Sequence, residues 1–363
     1  MKHLHVGLVV VVLAVCVFAL VGCPAKTPPP VNGLMGAMPP PAAALVPLRV
    51  GYFPNVTHAP AVLGFATARQ TFAKALEGKA SLKTSVFNAG PAAMEAFHAG
   101  ALDMCFVGPT PAINAFAKGG DLVLIANVCN GGSLLMARKD APISQVADLA
   151  GKKIAIPQIG NTQDAQLRHL LAQAGIKLKE AGGSTVVLPI ENPDVMSRFL
   201  SGDLDAACVP EPWGSRLEVE AGAKVVLDSK PLWRDGDYPT TVLVVRKSFL
   251  QAHPDIVKAF LAALQQVVDE LTADPQAMAS AINDELKVLT TKALKPEVLT
   301  KALGRLQFST KPNMAALQAM AEIMKEVGYA KTVPDLKGFV DDTYLPAAAG
   351  SAGSAPAAAK PGA

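Results

Sequence analysis

Two stretches of the sequence lead from an apolar segment straight into a Gly-Pro pair, where a helical pattern begins. Gly90-Pro91 ends one such segment, and Gly108-Pro109-Thr110-Pro111 follows the apolar residues Met104–Val107. Proline suits the first helical turn, whose N–H groups lack partners within the helix, and glycine lets a ligand approach the backbone. Free N–H groups and the helix dipole favour an anion at such a start. The two stretches therefore predict an anion site.

Two further helix starts repeat this arrangement. One precedes Pro60, and the other lies in "PQIGNTQDAQLRHL" after a later predicted strand. One start alone is usually an ordinary cap, but several at strand ends favour a site, because ligands of open α/β sheets bind beyond the carboxyl ends of the strands. The candidate ligand-binding residues at the four starts are Asn55, Thr57, His58, Asn88, Gly90, Gly108, Thr110, Gly160, Asn161, Thr162 and Gln163.

The donors at these starts are neutral backbone N–H, amide and hydroxyl groups, which suit a small oxyanion held by directed hydrogen bonds. No Walker lysine follows the glycines and no GxGxxG motif is present, so the sequence disfavours a nucleotide phosphate.

Two other motifs supply the remaining candidates. In "VPEPWG", Trp213 either contacts the apolar part of a ligand and closes the cleft or packs between lobes. Glu211 in the same motif either meets a cationic end of the ligand or accepts backbone N–H groups. In "NVCNGG", we expect Asn130 and Gly131 at a hinge or at a close approach of the ligand, because glycine has a wide range of φ.

The periodicity of apolar residues alternates between strands and helices, which indicates an α/β fold with parallel-type sheets flanked by helices. The predicted strands cover residues 48–53, 82–87, 102–107, 122–128, 133–138, 153–156, 185–190, 206–209, 225–227 and 241–246. The predicted helices cover residues 60–76, 91–99, 111–117, 146–149, 162–174, 194–200 and 214–221, and the chain is predicted almost wholly helical from Pro254 to about residue 345.

The alternation restarts once, which predicts two lobes with a cleft between them. Strands 133–138 and 241–246 have no helix before them, and we interpret them as hinge crossings. The first lobe then comprises residues 48–130 and 245–345, and the second comprises residues 131–244.

Both ends of the chain are predicted to lie outside the lobes. Residues 1–22 have the basic start and apolar run of a signal peptide, and Leu20-Val21-Gly22-Cys23 resembles a lipobox, in which Cys23 carries the lipid. Residues 23–47 are predicted to form a flexible tether, and the Ala-, Gly- and Pro-rich residues 346–363 a disordered tail.

Composition excludes several classes. A net charge of +3 among 363 residues, without a basic stripe, gives no indication of nucleic acid binding. The five cysteines and six histidines show neither metal-ligand spacing nor a nucleophilic set, so no metal, cofactor or catalytic residue is predicted. Buried thiols are the expectation, with a Cys105–Cys129 disulfide as the alternative.

These motifs resemble the solute-binding proteins of bacterial ABC importers in the nitrate, sulfonate, taurine and bicarbonate class. The resemblance runs from about residue 48 to 338 and is carried by "GYFPNVTHAPAV", "FNAGPAAMEAFHAGALDMCFVGPTPAINAFAKG", "DLAGKKIAIPQIGNTQDAQLRHLL", "PDVMSRFLSGDLDAACVPEPWGSRL" and "TTVLVVRKSFLQAHPDIVKAFL".

The resemblance implies a two-lobed periplasmic-binding-protein-like fold of type II that closes on a small anionic solute. It also implies a non-enzymatic protein that delivers its ligand to a membrane permease driven by an ATPase. The expected solute is an aliphatic sulfonate or a taurine-like compound. We expect an exported, membrane-anchored lipoprotein, monomeric, facing the periplasm or the cell exterior.

One alternative uses the same fold. A pyrimidine-precursor enzyme family shares it, as would a protein that binds an aromatic precursor. That enzyme family uses a Cys-rich segment, which this chain lacks. A pocket walled by two stacked rings would favour the alternative, whereas the aromatic content of 5% favours an importer protein.

Overall fold

The computed structural model describes residues 44–347 apart from residue 233. The predicted signal peptide, Cys23 and nearly all of the predicted tether and tail lie outside the described residues. All contacts reported below lie within one compact unit that begins at Leu45.

The strands, in chain order, are β1 (Val46–Tyr52), β2 (Ala80–Val86), β3 (Met104–Val107), β4 (Val123–Gly131), β5 (Ser133–Ala137), β6 (Lys153–Ile156), β7 (Val186–Pro189), β8 (Ala206–Pro210), β9 (Lys224–Leu227), β10 (Pro239–Val245) and β11 (Leu306–Phe308). The α-helices are α1 (Ala59–Phe65), α2 (Thr71–Ala75), α3 (Gly90–His98), α4 (Pro109–Ala117), α5 (Thr162–Gln173), α6 (Asn192–Leu200), α7 (Trp213–Ala221), α8 (Lys247–Ala252), α9 (Pro254–Ala273), α10 (Ala279–Thr290), α11 (Pro296–Leu303) and α12 (Met314–Glu326).

The first sheet has the strand order β11-β4-β10-β3-β1-β2. Strand β1 is parallel to β2 and β3, whereas β10 runs antiparallel to its neighbours β3 and β4. Most of residues 241–246, predicted to cross between lobes, thus belong to a strand of the first sheet. Every residue of β10 is buried, and the strand pairs on both edges, so the predicted boundary between residues 244 and 245 falls inside a strand of the first sheet.

The second sheet has the order β7-β6-β8-β5-β9. Strand β6 is parallel to β7 and β8, and β5 is antiparallel to β8 and β9. Strand β5, which covers most of the predicted crossing at residues 133–138, is likewise a member of a sheet. The α/β fold class with two helix-flanked sheets is confirmed, and both sheets are mixed rather than wholly parallel.

The chain crosses between the sheets at a glycine pair and at residues 228–238. Gly131 is the last residue of β4, and Gly132 joins it to β5. Their φ values of 80° and 67° favour glycine. The Gly131 N–H donates to the carbonyl oxygen of Tyr238 at 2.9 Å, so the two crossings lie side by side. Gly131 therefore lies at a crossing, one of the two roles predicted for it.

Side chains of the first sheet alternate between two cores, as the pleat requires. Phe106 of β3 packs with Phe72 of α2 and Phe260 of α9. Its neighbour Val107 joins Ile113 of α4 in the core on the other face. The helices therefore lie on both sides of the sheet and leave its strand ends free.

The structure breaks the helix predicted at residues 60–76 and the region predicted as almost wholly helical beyond Pro254. Residues 60–76 form α1 and α2 instead of one helix, and Gln70 between them has a left-handed φ of 54°. A Cβ at Gly64 would lie 2.1 Å from the ring of Phe72, so glycine lets the two helices close on each other. Beyond Pro254, β11 interrupts the helices by pairing with β4, and α12 ends at Glu326.

Cys105 and Cys129 are buried free thiols, so the alternative of a disulfide between them is wrong. The physical reason is the strand order, since β10 lies between β3 and β4. Within residues 44–347, no helix combines the length and apolar character that crossing a bilayer requires.

Candidate functional site

The carboxyl ends of the parallel strands of both sheets enclose a cavity of ≈30 Å³. Its lining on one side comes from the turns after β1, β2 and β3 and from Thr240 of β10. On the other side it comes from the turns after β6 and β7 and from Pro210 at the end of β8. The lining residues are Phe53, Asn55, Thr57, His58, Asn88, Ala89, Gly90, Gly108, Pro111, Pro157, Asn161, Thr162, Gln163, Asn192, Pro210 and Thr240.

Most of the predicted site residues meet at this cavity although they are far apart in sequence. The predicted residues that line it are Asn55, Thr57, His58, Asn88, Gly90, Gly108, Asn161, Thr162 and Gln163. They come from the four predicted helix starts. The turn before α1 and the starts of α3 and α4 lie at the edge of the first sheet, whereas the start of α5 lies at the edge of the second. The structure therefore brings together the starts of α3, α4 and α5 with the turn before α1.

Two of the predicted residues at the helix starts do not line the cavity. Thr110 is buried inside the first turn of α4, while Gly108 and Pro111 of the same segment face the cavity. Gly160 has a φ of 82° and donates its N–H to Asp164 Oδ2 at 2.7 Å, so it shapes the turn before α5.

The candidates at the crossing also lie outside the lining. The amide of Asn130 donates to Asp237 Oδ1 at 2.7 Å, and Gly131 is the last residue of β4. Strand pairing in the first sheet, rather than the cavity, determines where both residues lie.

Glu211 is fully buried but does not line the cavity. Its carboxylate accepts the Ser215 backbone N–H at 3.0 Å and pairs with Arg305 Nη1 at 2.9 Å. Of the two roles predicted for Glu211, the structure shows the second, in which its carboxylate accepts a backbone N–H. Burial raises the pKa of the Glu211 carboxyl, although the Ser215 N–H and Arg305 oppose that rise.

Trp213 borders a second, larger space rather than the cavity itself. Its indole Nε1 donates to Asn55 Oδ1 at 3.0 Å, and the guanidinium of Arg216 lies 5.1 Å from the ring centre. This second space, which we call the outer groove, has a volume of ≈850 Å³ and lies between α6 and α7 on one side and the segment joining α10 to α11 on the other.

Among the residues that the structure describes, no charged side chain lines the cavity, and His58 is neutral there. The imidazole is 2% exposed, stacks on Phe53 with ring centres 4.3 Å apart, and accepts the Phe53 N–H on Nδ1 at 3.4 Å. Burial lowers the pKa of His58 to about 3. Since Nδ1 accepts, the proton of the neutral ring is assigned to Nε2, which makes His58 an uncharged donor.

The start of α5 contains the donor with the greatest freedom to bind a ligand. Asn161 caps the helix by accepting the Asp164 N–H at 2.8 Å, and Gln163 Nε2 donates to Ser133 Oγ at 3.1 Å. Thr162 Oγ1, in contrast, is buried without a hydrogen-bond partner among the described residues. A buried hydroxyl without a partner is costly, and a ligand oxyanion would satisfy it.

The two walls of the cavity touch each other. Asn88 Nδ2 donates to Glu191 Oε2 at 2.7 Å, and the Ala92 N–H donates to Gln158 Oε1 at 3.4 Å. On another side, Glu326 at the end of α12 accepts from Gln173 of α5 at 3.1 Å. The site is therefore closed.

Some residues that line the cavity were not among the predicted candidates. These are Phe53, Ala89, Pro111, Pro157, Asn192, Pro210 and Thr240. For Asn192 a signal was present, because Asn192-Pro193 begins a helix just after a predicted strand, as the other starts do. Thr240 is the second residue of β10 in the first sheet, whereas the sequence alone predicted the strand of residues 241–246 as a crossing between lobes.

Comparisons with known proteins identify a family and a fold for this chain. Residues 42–284 match the sequence profile of the NMT1-like family. Over 310 residues the chain is 28% identical to a protein of Brucella abortus (strain 2308) named provisionally as a binding protein, covering 83% of this chain and 92% of that protein. It is 30% identical over 212 residues to the taurine-binding periplasmic protein of Escherichia coli (strain K12), covering 58% of this chain and 63% of that protein.

A solved structure gives the same fold. The alkanesulfonate-binding protein SsuA from Xanthomonas axonopodis pv. citri, bound to MOPS, matches with a TM-score of 0.67 at 23% identity, covering 81% of this chain and 98% of that one. This likeness confirms the periplasmic-binding-protein-like fold class.

Proposed function

Because this chain belongs to the NMT1-like family, we propose that it is the solute-binding component of an ABC import system and captures a small oxyanion, an aliphatic sulfonate above all. The observation that carries the proposal is the closed cavity at which neutral donors from several helix starts converge. The names of the relatives support it, since one binds taurine and a structural neighbour binds alkanesulfonates.

A sulfonate fits the donors around the cavity. Its oxygens accept hydrogen bonds in several directions, as the Thr162 hydroxyl, the His58 Nε2–H and the first N–H groups of α5 require. Donors of this kind bind a permanent anion without a cationic side chain, as helix N-termini do elsewhere. Such a site binds the anion by directed hydrogen bonds and not by net charge.

The aromatic-precursor alternative has less support. Phe53 and His58 are the aromatic side chains that line the cavity, and their ring centres are only 4.3 Å apart. They stack on each other, so no ligand ring fits between them. Within the described part of the chain, the remaining lining offers no second aromatic wall.

The proposal extends to movement, partners and location. The two sheets belong to two lobes that open about the glycine pair Gly131-Gly132 and residues 228–238, and the ligand favours closure by contacting both walls. A membrane permease and an ATPase take up the ligand from the closed protein. The protein is exported, is monomeric and faces the periplasm or the cell exterior. A lipid on Cys23 holds it at the membrane. It acts as a binding protein and not as an enzyme.

Thermal unfolding with a ligand panel tests the function. A ligand that binds only the folded state adds about 2.7 kcal/mol at a hundredfold excess over its dissociation constant, which raises the melting temperature measurably. The panel comprises methanesulfonate, butanesulfonate, taurine, nitrate, bicarbonate and orotate. We expect the alkanesulfonates to stabilise the protein most. Stabilisation by orotate alone would contradict the proposal and favour the pyrimidine-precursor alternative.

A further inference from the structure

We infer that Ser133 and Gln166, which do not line the cavity, are positioning residues that hold the side-chain amide of Gln163 with an N–H available to the ligand. They belong to a chain of hydrogen bonds, which we call the amide relay, whose members are Asn161, Gln163, Ser133, Gln166 and Tyr238. The inference rests on the proposed function, because it assumes that an oxyanion occupies the cavity. It adds the residues behind the wall that determine which polar atoms the wall presents.

The relay starts from a backbone group, which fixes the orientation of its first amide. Asn161 Oδ1 accepts the backbone N–H of Asp164 at 2.8 Å. Since a backbone N–H can only donate, the oxygen of the Asn161 amide has to lie on this side and the nitrogen on the other. Asn161 Nδ2 accordingly donates to Gln163 Oε1 at 3.3 Å. The carbonyl end of the Gln163 amide is thereby directed toward Asn161.

The other end of the Gln163 amide meets Ser133 at the start of β5. Gln163 Nε2 donates to Ser133 Oγ at 3.1 Å, and the Ser133 hydroxyl donates its one proton to Gln166 Oε1. A serine whose proton is used in this way can only accept from Gln163. The acceptor on Gln166 therefore decides that Gln163 presents its nitrogen, and not its oxygen, to Ser133.

Gln166 is buried, and its own contacts do not favour the orientation that it has. Its Oε1 also accepts from the Tyr238 hydroxyl at 3.3 Å, whereas its Nε2 is buried without a partner among the described residues. A turned amide could donate to both hydroxyl oxygens and would leave only a carbonyl unpaired, which is a more common deficit in proteins than an unpaired N–H. The observed orientation is thus the one that the rest of the relay requires.

The relay leaves donors for a ligand on the two amides that line the cavity. Asn161 and Gln163 each use one N–H within the relay, and the second N–H of each has no acceptor among the described residues. Turning the Gln163 amide would exchange its free N–H for a carbonyl lone pair, which repels an oxyanion. The donor character of Gln163 therefore depends on Ser133 and Gln166 behind it.

The relay is attached to both crossings between the sheets. Ser133 directly follows Gly132, and Tyr238 ends the crossing of residues 228–238. The Tyr238 ring is buried in a core of the first sheet, while its hydroxyl contacts α5 beside the second. Segments at the axis of a hinge move least when the lobes open, so the relay can hold the Gln163 amide before the ligand arrives. Such preorganisation avoids ordering a side chain during binding.

Calorimetric titration of the whole protein and its variants with methanesulfonate tests the inference. Gln166→Met removes the acceptor, so the Ser133 hydroxyl donates to Gln163 instead and turns its amide. Losing one hydrogen bond to an anion should weaken binding about tenfold or more. Thr185→Val is the matched control, because it also removes a buried acceptor, for the Gly151 N–H, but lies at the amino end of β7, away from the cavity. It should lower stability and leave the affinity within about twofold of wild type.

A second substitution gives a result that a merely structural role would not produce. Ser133→Ala in the Gln166→Met background removes the proton that turns the Gln163 amide. We therefore expect the double variant to bind methanesulfonate about threefold or more tightly than Gln166→Met alone, whereas independent losses would add and make it the weaker binder. Ser133→Ala by itself removes the acceptor that holds Gln163 Nε2 and should weaken binding about threefold. That variant decides the matter if Gln166→Met does not fold.

The outcomes distinguish the inference from the proposed function. If Gln166→Met or Ser133→Ala binds methanesulfonate as the wild type does, or if the double variant binds no more tightly than Gln166→Met, the function stands and the relay inference is overturned. The inference is also overturned if Thr185→Val weakens binding as much as Gln166→Met, because the loss would then follow from lower stability. If the wild type binds no sulfonate at all, the proposed function itself fails, and the inference fails with it.

Discussion

A Cβ on Gly108 would lie 2.4 Å from Oγ1 of Thr162, although Gly108 precedes α4 at the edge of the first sheet and Thr162 begins α5 at the edge of the second. A Cβ essentially never lies this near to another atom in a folded protein. The glycine at residue 108 therefore permits the two walls to meet. The absence of a side chain at residue 108 thus contributes directly to closure of the site.

Gly108→Ala should therefore weaken ligand binding by tenfold or more, because the closed state must separate its walls by a few tenths of an ångström or more. The measurement is calorimetric titration with the best sulfonate. In a double-mutant cycle, Thr162→Ala removes the atom that the new methyl group meets, so the effect of Gly108→Ala should be smaller in that background. Equal effects in both backgrounds would show that the contact does not limit closure.

Thr162→Val should lower the affinity for an oxyanion, since it removes a donor that has no other partner among the described residues. Losing a hydrogen bond to a charged group costs about 1.5–3 kcal/mol. The unliganded protein should be no less stable, because the wild type buries that hydroxyl unpaired. Thr110→Val is the matched control, because Thr110 is also buried at a helix start but does not line the cavity. A larger loss from Thr110→Val would reverse the assignment of the two threonines.

The neutral state of His58 predicts how stability depends on pH. Burial lowers its pKa to about 3 in the folded protein, whereas the ordinary value in the unfolded chain is 6.5. A group whose pKa is lower in the folded than in the unfolded protein contributes fully to the unfolding free energy above its unfolded pKa. That contribution is lost as the pH falls toward the folded pKa. The loss from His58 therefore develops between about pH 6.5 and pH 3.

His58→Gln keeps an acceptor for the Phe53 N–H and removes the titration. Between pH 7 and pH 4.5, the wild type should lose on the order of 2 kcal/mol more unfolding free energy than this variant. Urea unfolding at both pH values measures the difference, in which the carboxylate titrations shared by the two proteins cancel. Parallel losses in the two proteins would mean that His58 is protonated in the folded state.

Much of this site could be predicted from local sequence, because helix starts after strand ends follow from a few residues each. Gly90-Pro91 and Asn161-Thr162 are examples, and the topology of an α/β sheet brings such starts to one edge. Strands that lack a preceding helix were harder to place. Strand β10 pairs with β3 and β4, which are more than 100 residues earlier in the chain, and no local pattern encodes that pairing.

Roles that depend on a distant partner could not be predicted for the same reason. Glu211 is paired with Arg305, which lies 94 residues away, so its motif alone left two roles open. The outer groove depends on the segment that joins α10 to α11, and the sequence predicted that region only as helical. The walls of this groove therefore could not be predicted from local sequence, whereas the donors at the helix starts could.

Glu211 and Arg305 form a buried ion pair, and its loss should destabilise the protein. Arg305→Met should destabilise the protein by about 3 kcal/mol or more, because it leaves the fully buried Glu211 carboxylate without its cation. Lys301→Met is the matched control, since Lys301 pairs with Glu218 at 3.0 Å in a more exposed setting and should cost less than about 1 kcal/mol.

Burial raises the pKa of Glu211 already in the wild type, and loss of Arg305 removes an interaction that opposes that rise. Lowering the pH from 7 to 5 should therefore reduce the cost of Arg305→Met, as protonation removes the unpaired charge. Urea unfolding of the three proteins at both pH values measures this. Equal costs for the two variants at pH 7 would mean that the buried pair stabilises the fold no more than a surface pair does.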